Sequence, residues 1–379
     1  MRLVIISDEY PGPDLVYGDV FVHARAKQYA KSAQVLVIGY KPNLISEKRY
    51  QYESIPVIIT PSLLVFESEL IRYNPDVVVV HFMNHTYMNL LLSLKKPLLI
   101  FIHGYEATSW VRRLMNYKTL GDLPYLFKYV KNNRRQLTAM KHFIEKANTY
   151  DNIRFVFVSQ WIKNAAESDL DVSISRSYVI PNGIDTTQFK YQEKTKEDRL
   201  KILLIRSFIA RNYSNDLSVE AIIELSKKSF FKELHFTIYG EGYLFKPLIN
   251  KVKHFTNVVV HNRFVENSII PSIHRNHGIF LCPSRLDTQG VSMCEAMASG
   301  LVPITSPVGG IPEYATDQVS SFHVRTGKLI AEKIEYLYEN PDVFLGMSKN
   351  ARLEIVNKCN LSTTVDREVE LISNLKTCR

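Results

Sequence analysis

The 379-residue sequence predicts an α/β protein built from two doubly wound domains. Three observations carry that expectation. Apolar, β-branched runs recur with helical stretches between them, the length suits two hydrophobic cores, and one polar stretch divides the chain near its middle. In the first half, strands are expected near residues 3–7, 35–39, 57–59, 77–81, 98–103, 155–159 and 178–180. In the second they fall near residues 202–206, 234–239, 258–261, 278–282 and 302–305. The dividing stretch, residues 183–199 (GIDTTQFKYQEKTKEDR), is charged and poor in branched aliphatics, so it reads as the linker. The expected domains are residues 1–183 and 184–379, with the last helix a candidate to pack back on the first. Doubly wound domains that face each other put a ligand cleft at the carboxyl ends of their strands.

Composition narrows the class. A hydrophobic share of 46% and a charged share of 22% are ordinary for a globular protein. No apolar run approaches the ~20 residues that span a bilayer. The N-terminus, MRLVIISDEY, runs straight into a strand without a signal-peptide pattern. Cys282, Cys294, Cys359 and Cys378 show no C-x-x-C spacing and read as reduced thiols, so a cytoplasmic location is expected, with peripheral contact at the inner membrane face. The net charge of +9 is unevenly spread: residues 110–146 hold nine Lys/Arg against Asp122 and Glu145, interleaved with Trp110, Tyr117, Tyr125, Phe127 and Tyr129. Such a segment suits an anionic membrane surface, a solvated helical face or nucleic acid, and no nucleic-acid motif accompanies it.

The most informative segment is residues 283–313, PSRLDTQGVSMCEAMASGLVPITSPVGGIPE. Gly290 stands just ahead of a helix-forming run, where free backbone N–H groups can meet a phosphate. Asp287 and Glu295 flank it, and carboxylates accept hydrogen bonds from hydroxyls. An anion cradle bordered by hydroxyl acceptors fits a nucleotide sugar.

This segment resembles the donor-site signature of retaining GT-B glycosyltransferases of the family 4-like, group 1 kind. That signature has two glutamates separated by seven residues, an A-M-A-x-G helix end and a Gly-Gly turn. Here the first glutamate is Asp287, one methylene shorter, with charge and spacing kept. VIPNGID around residue 179 and FVFVSQWIKNAAESD around residue 155 extend the likeness, which is weakest before residue 75. The resemblance implies a GT-B fold of two Rossmann-like domains facing a central cleft, an acceptor-binding first domain and a donor-binding second.

It also implies roles. Departure of the sugar leaves charge on a diphosphate, which fixed cations can stabilise. Arg206, at a strand end, matches the family arginine that holds the diphosphate. The family lysine a few residues on falls at Asn212, which leaves Arg211 beside it as the substitute; guanidinium forks suit phosphate oxygens. Glu295, placed in the first turn of its helix, corresponds to the glutamate that accepts from the ribose, and Asp287 to the one that holds sugar hydroxyls. The amides of Gly290, Val291 and Ser292 would face the phosphates or the sugar, with Gly309-Gly310 approaching nearby. His103 matches a family histidine that touches the donor sugar. Gly18 would let backbone approach the diphosphate, and Arg263, Phe264 and Val265 would bracket the base. Tyr239-Gly240-Glu241-Gly242 lacks the third glycine of a dinucleotide fingerprint.

The resulting expectation is a transferase in surface polysaccharide or glycoconjugate synthesis. It would move a hexose from a UDP- or GDP-linked donor to a glycan or lipid-linked acceptor, with retention, no metal and no further cofactor. The acceptor's membrane setting rests on residues 110–146, and no nucleic acid is expected. An inactive nucleotide-sugar-binding scaffold and a sugar-nucleotide epimerase of the same fold are the alternatives.

Overall fold

A computed structural model describes residues 1–13, 15 and 18–377; Cys378 lies outside them. The chain divides into two compact units. The first comprises Met1–Arg112, Thr119–Gly183 and Leu361–Arg379, and the second Arg113–Lys118 and Ile184–Asn360.

The first unit holds an eight-stranded sheet: β1 (Arg2–Ile6), β2 (Gln34–Tyr40), β3 (Lys48–Tyr52), β4 (Ile55–Thr60), β5 (Val77–His81), β6 (Leu98–Ile102), β7 (Ile153–Phe157) and β8 (Ser177–Val179). Its order is β3-β4-β2-β1-β5-β6-β7-β8. Side chains alternate across a strand, so one face collects Val4, Ile6, Val78, Val80 and Ile100, and the other Leu3, Ile5, Val77, Val79 and Phe101. Both faces are covered, which is why these strands are apolar without interruption. Helices Leu63–Tyr73, Leu123–Ala147 and Gln160–Leu170 cover the first face through Phe66, Phe143 and Ile162. Helices Val20–Tyr29 and Leu361–Thr377 cover the second through Val22, Ala26, Val365 and Ile372.

The terminal helix is tied down by charge as well as by apolar contact. Arg25 Nε donates to Glu368 Oε1 at 2.9 Å and Tyr29 Oη to Glu368 Oε2 at 2.5 Å, with all three side chains buried. Arg25 also donates to the Pro181 carbonyl at 3.2 Å, and its guanidinium lies 5.2 Å over the Phe101 ring.

The second unit holds a six-stranded parallel sheet of β9 (Lys201–Ile205), β10 (His235–Gly240), β11 (Val258–Asn262), β12 (Ile279–Cys282), β13 (Val302–Thr305) and β14 (Phe322–His323). The order β11-β10-β9-β12-β13-β14 reverses at β9. Helices Asn215–Leu225 and Gly327–Glu339 cover one face, and Val291–Ala298 with Pro341–Cys359 the other.

Three readings of the sequence are corrected. Residues 184–199 are no linker: Ile184 and Phe189 join the second core, and buried Lys194 donates to the His274 carbonyl at 2.9 Å. Strand β3 was not expected, because KRYQY is a polar edge strand whose hairpin turns through Glu53 and Ser54 at positive φ (42° and 72°), without the glycine that marks such turns. Two-residue β14 is too short to leave a periodic signal.

Candidate functional site

In an open doubly wound sheet, ligands bind beyond the carboxyl ends of the strands where the order reverses. In the second unit that point lies between β9 and β12, and Arg206 is the residue following β9. Its backbone N–H still pairs with the Tyr239 carbonyl at 3.2 Å, while its side chain turns across the strand ends. Nη2 donates to Ser284 Oγ at 2.6 Å and Nη1 to Ser292 Oγ at 2.8 Å. The guanidinium lies 4.7 Å over the Tyr213 ring, and Nη2 is 3.9 Å from Asp287 Oδ2. Nε is buried with no hydrogen-bond partner among the described residues. A buried cation held by neutral hydroxyls and one distant carboxylate retains much of its capacity for an anion.

The helix Val291–Ala298 begins beside this group. Gly290 is its N-cap at φ 81°, a conformation that favours glycine, and no side chain caps the helix. Gly290's own amide is committed, since Asp287 Oδ1 accepts from it at 2.8 Å and from the Gln289 amide at 3.3 Å. That corrects the expected trio of free amides: Val291 and Ser292 keep uncapped N–H groups, and Gly290 does not.

Asp287 is therefore divided in its duties. Oδ1 closes the turn into the helix, while Oδ2 faces Arg206. Its carbonyl accepts from Gly310 N–H at 3.0 Å, and a Cβ on Gly309 (φ 60°) would come within 1.7 Å of that carbonyl oxygen. The Gly-Gly turn is thus required by the approach of one loop to another.

Glu295 lies in the second turn of its helix, since no acidic residue occupies the first. The expected dipole stabilisation is correspondingly weak, because that effect fades within one turn. Glu295 is half-buried yet deep among protein atoms, and burial pushes its carboxyl up to about 8. It shares a helix face with Ser292, three residues earlier.

Arg211 opens the short turn Arg211–Tyr213 in the loop after β9, and its Nε is buried without a hydrogen-bond partner among the described residues. Its amide donates to Asn116 Oδ1 at 2.8 Å and its carbonyl accepts from Arg285 Nη1 at 3.0 Å. Arg285 is spent on Asp216 through a fork of 2.8 and 2.6 Å, leaving Arg206 and Arg211 as the loop's available guanidiniums. Arg263, Phe264 and Val265 follow β11 on the same edge of the sheet. There Arg263 lies 6.0 Å over Tyr239, whose ring stacks on His261 at 4.4 Å. A Cβ on Gly240 would come within 2.2 Å of the Arg206 carbonyl, so this glycine serves the packing of the β9 and β10 loops.

In the first unit, His103 follows β6 and pairs through Nε2 with His81 Nδ1 at 2.9 Å. Its amide and that of Gly104 donate to the Glu106 carboxylate at 2.5 and 3.0 Å. Phe82 packs on the His103 ring at 4.4 Å, and burial holds both histidines well below the usual range, as neutral rings. Gly18 serves its own loop, because a Cβ there would come within 2.2 Å of the Glu9 carbonyl. That loop is acidic: burial pushes Asp8 to about 7 and Asp19 to about 6.

Of the expected residues, Arg206, Asp287, Gly290, Val291, Ser292 and Glu295 come together around one strand end and helix start. His103 and Gly18 belong to the other unit. Sequence reasoning missed Ser284, Tyr213 and the hydroxyl of Ser292 as partners of Arg206, and His81 as partner of His103. Only the position of Ser284 just after an apolar strand could have signalled one of them.

Two units of this architecture, one with an anion-receptive guanidinium at its switch point, define a GT-B fold. Residues 185–354 match the model described as Glycosyl transferases group 1, and residues 19–188 that of Glycosyltransferase Family 4. Between them the matches span most of the chain, and it belongs to this family 4-like, group 1 set of glycosyltransferases. Sucrose-phosphate synthase of Thermosynechococcus elongatus superposes with a TM-score of 0.72 at 13% identity, covering 100% of each chain. Anabaena Alr3699/HepE in complex with UDP-glucose gives 0.70 at 14%, covering 99% of this chain and 100% of that one. Sucrose synthase 5 of Arabidopsis thaliana is 27% identical over 193 residues, 49% of this chain and 21% of that protein. The UDP-Gal:alpha-D-GlcNAc-diphosphoundecaprenol alpha-1,3-galactosyltransferase of Escherichia coli is 23% identical over 258 residues, 65% of this chain and 66% of that protein. The chain thus spans only part of the length of these curated relatives.

Proposed function

We propose that the chain transfers a hexose from a UDP- or GDP-linked donor to a glycan or lipid-linked acceptor in surface polysaccharide or glycoconjugate synthesis, with retention and without a metal. The observation that carries this reading is the buried Arg206 guanidinium, braced by two serine hydroxyls at the switch point of its sheet. Family membership supports it, as does the UDP-glucose complex of Anabaena Alr3699/HepE, a protein with the same fold.

In this reading the donor's diphosphate lies against Arg206, Arg211 and the uncapped amides of Val291 and Ser292. As the sugar–oxygen bond breaks, charge builds on the β-phosphate, and pre-set cations and amides stabilise that charge without reorganising. Glu295, desolvated and in need of donors, accepts from the ribose hydroxyls. Asp287 Oδ2 and neutral His103 orient the sugar, the histidine through a ring nitrogen that can donate at neutral pH. Incoming hydroxyl and departing phosphate share one face of the sugar, without a covalent intermediate on a carboxylate. The basic segment of residues 110–146 supports a membrane setting for the acceptor, which the first unit would bind.

The test is release of nucleoside diphosphate from a panel of UDP- and GDP-sugars, with and without membrane glycolipid extract, in EDTA. Acceptor-dependent release from one donor supports the reading. Conversion of the nucleotide sugar without acceptor points to an epimerase, and binding without turnover to a scaffold.

A further inference from the structure

The helix Leu123–Ala147 is longer than the core it serves. Its buried residues, Asn133, Gln136, Met140, Phe143, Ile144 and Ala147, all lie from position 133 onward. None of the ten residues before them is fully buried, yet they are not polar. Tyr125 is 71% and Phe127 69% exposed, Leu123 is 42%, and Leu120, in the preceding turn, is 85%. At 100° per residue, Phe127, Lys128, Lys131, Arg134 and Arg135 share the side opposite Met140, Ile144 and Ala147. Those four cations form no ion pair among the described residues, whereas Arg112 and Lys141 are paired with Asp169 and Asp171. Nearby acids are few: Asp122 is spent on the Thr119 amide, and Glu145 faces His142.

We infer that this projecting half-helix docks on an anionic lipid bilayer, with Leu120, Leu123 and Phe127 entering the interface and the cationic side lying along the headgroups. This deepens the membrane setting proposed above by naming the residues that make the contact, and it does not depend on the donor site. A face meant only for water gains nothing from three large apolar side chains at its tip. A nucleic-acid surface would call for cations and stacking rings, with no place for the two leucines. Apolar insertion together with electrostatic attraction is the combination that holds interfacial helices.

The full chain should float with phosphatidylcholine vesicles containing one-third phosphatidylglycerol and stay behind with phosphatidylcholine alone. Lys128→Ala/Lys131→Ala/Arg134→Ala/Arg135→Ala should weaken binding more than tenfold, and Leu123→Ser/Phe127→Ser should do so independently. All substituted side chains are exposed, so unchanged thermal melts will show intact folding. Arg206→Ala should float like wild type, which separates failure of this inference from failure of the donor reading. Equal binding to both vesicle types, unchanged flotation of either multiple variant, or tighter retention by single-stranded DNA through the same cations would each overturn the inference.

Discussion

Arg206 reaches Ser292 across 2.8 Å, so the guanidinium behind β9 is braced against the first turn of the helix that follows Gly290. Sheet and helix thereby hold one cation in a fixed pose. Arg206→Lys keeps the charge but cannot bridge Ser284 and Ser292. It should weaken nucleoside diphosphate binding by about tenfold, near the worth of one charge-assisted hydrogen bond. Ser292→Ala, which spares the charge, should cost only about 0.5–1.5 kcal/mol. Fluorescence-monitored titration of the two variants checks the order.

Glu295 makes a pH prediction. Its folded carboxyl is raised to about 8 from 4.5, so the stability it contributes is complete below the unfolded value and is lost as pH rises through about 8. Glu295→Gln carries no such charge. The unfolding free energy of the variant minus that of wild type should therefore grow between those values, at a slope of at most ~1.4 kcal/mol per pH unit. Above about pH 8, where Glu295 is ionised, the same variant should bind nucleoside diphosphate less well than wild type, because an amide is a poorer hydroxyl acceptor than a carboxylate. Ligand-free melts across pH, set beside binding above about pH 8, separate the two effects.

The His81–His103 pair acts with the opposite sign. Both folded values lie well below 6.5, so the stability tied to their neutral forms is present above 6.5 and lost on acidification below it. His103→Asn should flatten the acid side of the stability profile. Turnover should fall roughly threefold to tenfold while nucleoside diphosphate affinity stays constant, if the ring contributes one hydrogen bond to the sugar. A loss confined to diphosphate binding would remove His103 from the sugar's surroundings.

Glu368 anchors the terminal helix to the first unit through Arg25 and Tyr29. Removing one partner of a buried pair leaves the other charge uncompensated, so Glu368→Ala should cost about 3–5 kcal/mol. Exchanging the pair for well-packed apolar residues should cost far less. Chemical denaturation of the single and double variants measures that difference.

Twelve of the fourteen strands among the described residues were legible, because apolar β-branched runs buried on two faces leave a plain mark. The turns of residues 283–313 were legible too, as Gly290 and the Gly-Gly turn are dictated by backbone geometry: φ 81° at one and the Asp287 carbonyl at the other. What stayed hidden depends on side chains meeting from distant positions. Ser284 and Tyr213 become partners of Arg206 only when β9 and β12 are neighbours. The turn role of Asp287 was equally invisible, since an aspartate that caps a turn and one that binds a sugar read alike. Residues 184–199 misled for the opposite reason: their few anchors, Ile184, Phe189 and Lys194, are too sparse to outweigh the surrounding charge.

The most direct test of the account is calorimetric titration of UDP, GDP and ADP into wild type and Arg206→Ala, with and without EDTA. The account predicts binding of UDP or GDP that is indifferent to EDTA and weakened at least tenfold by Arg206→Ala, with the melting temperature of the ligand-free variant unchanged. Failure of all three nucleotides to bind, or equal binding by the variant, would contradict it.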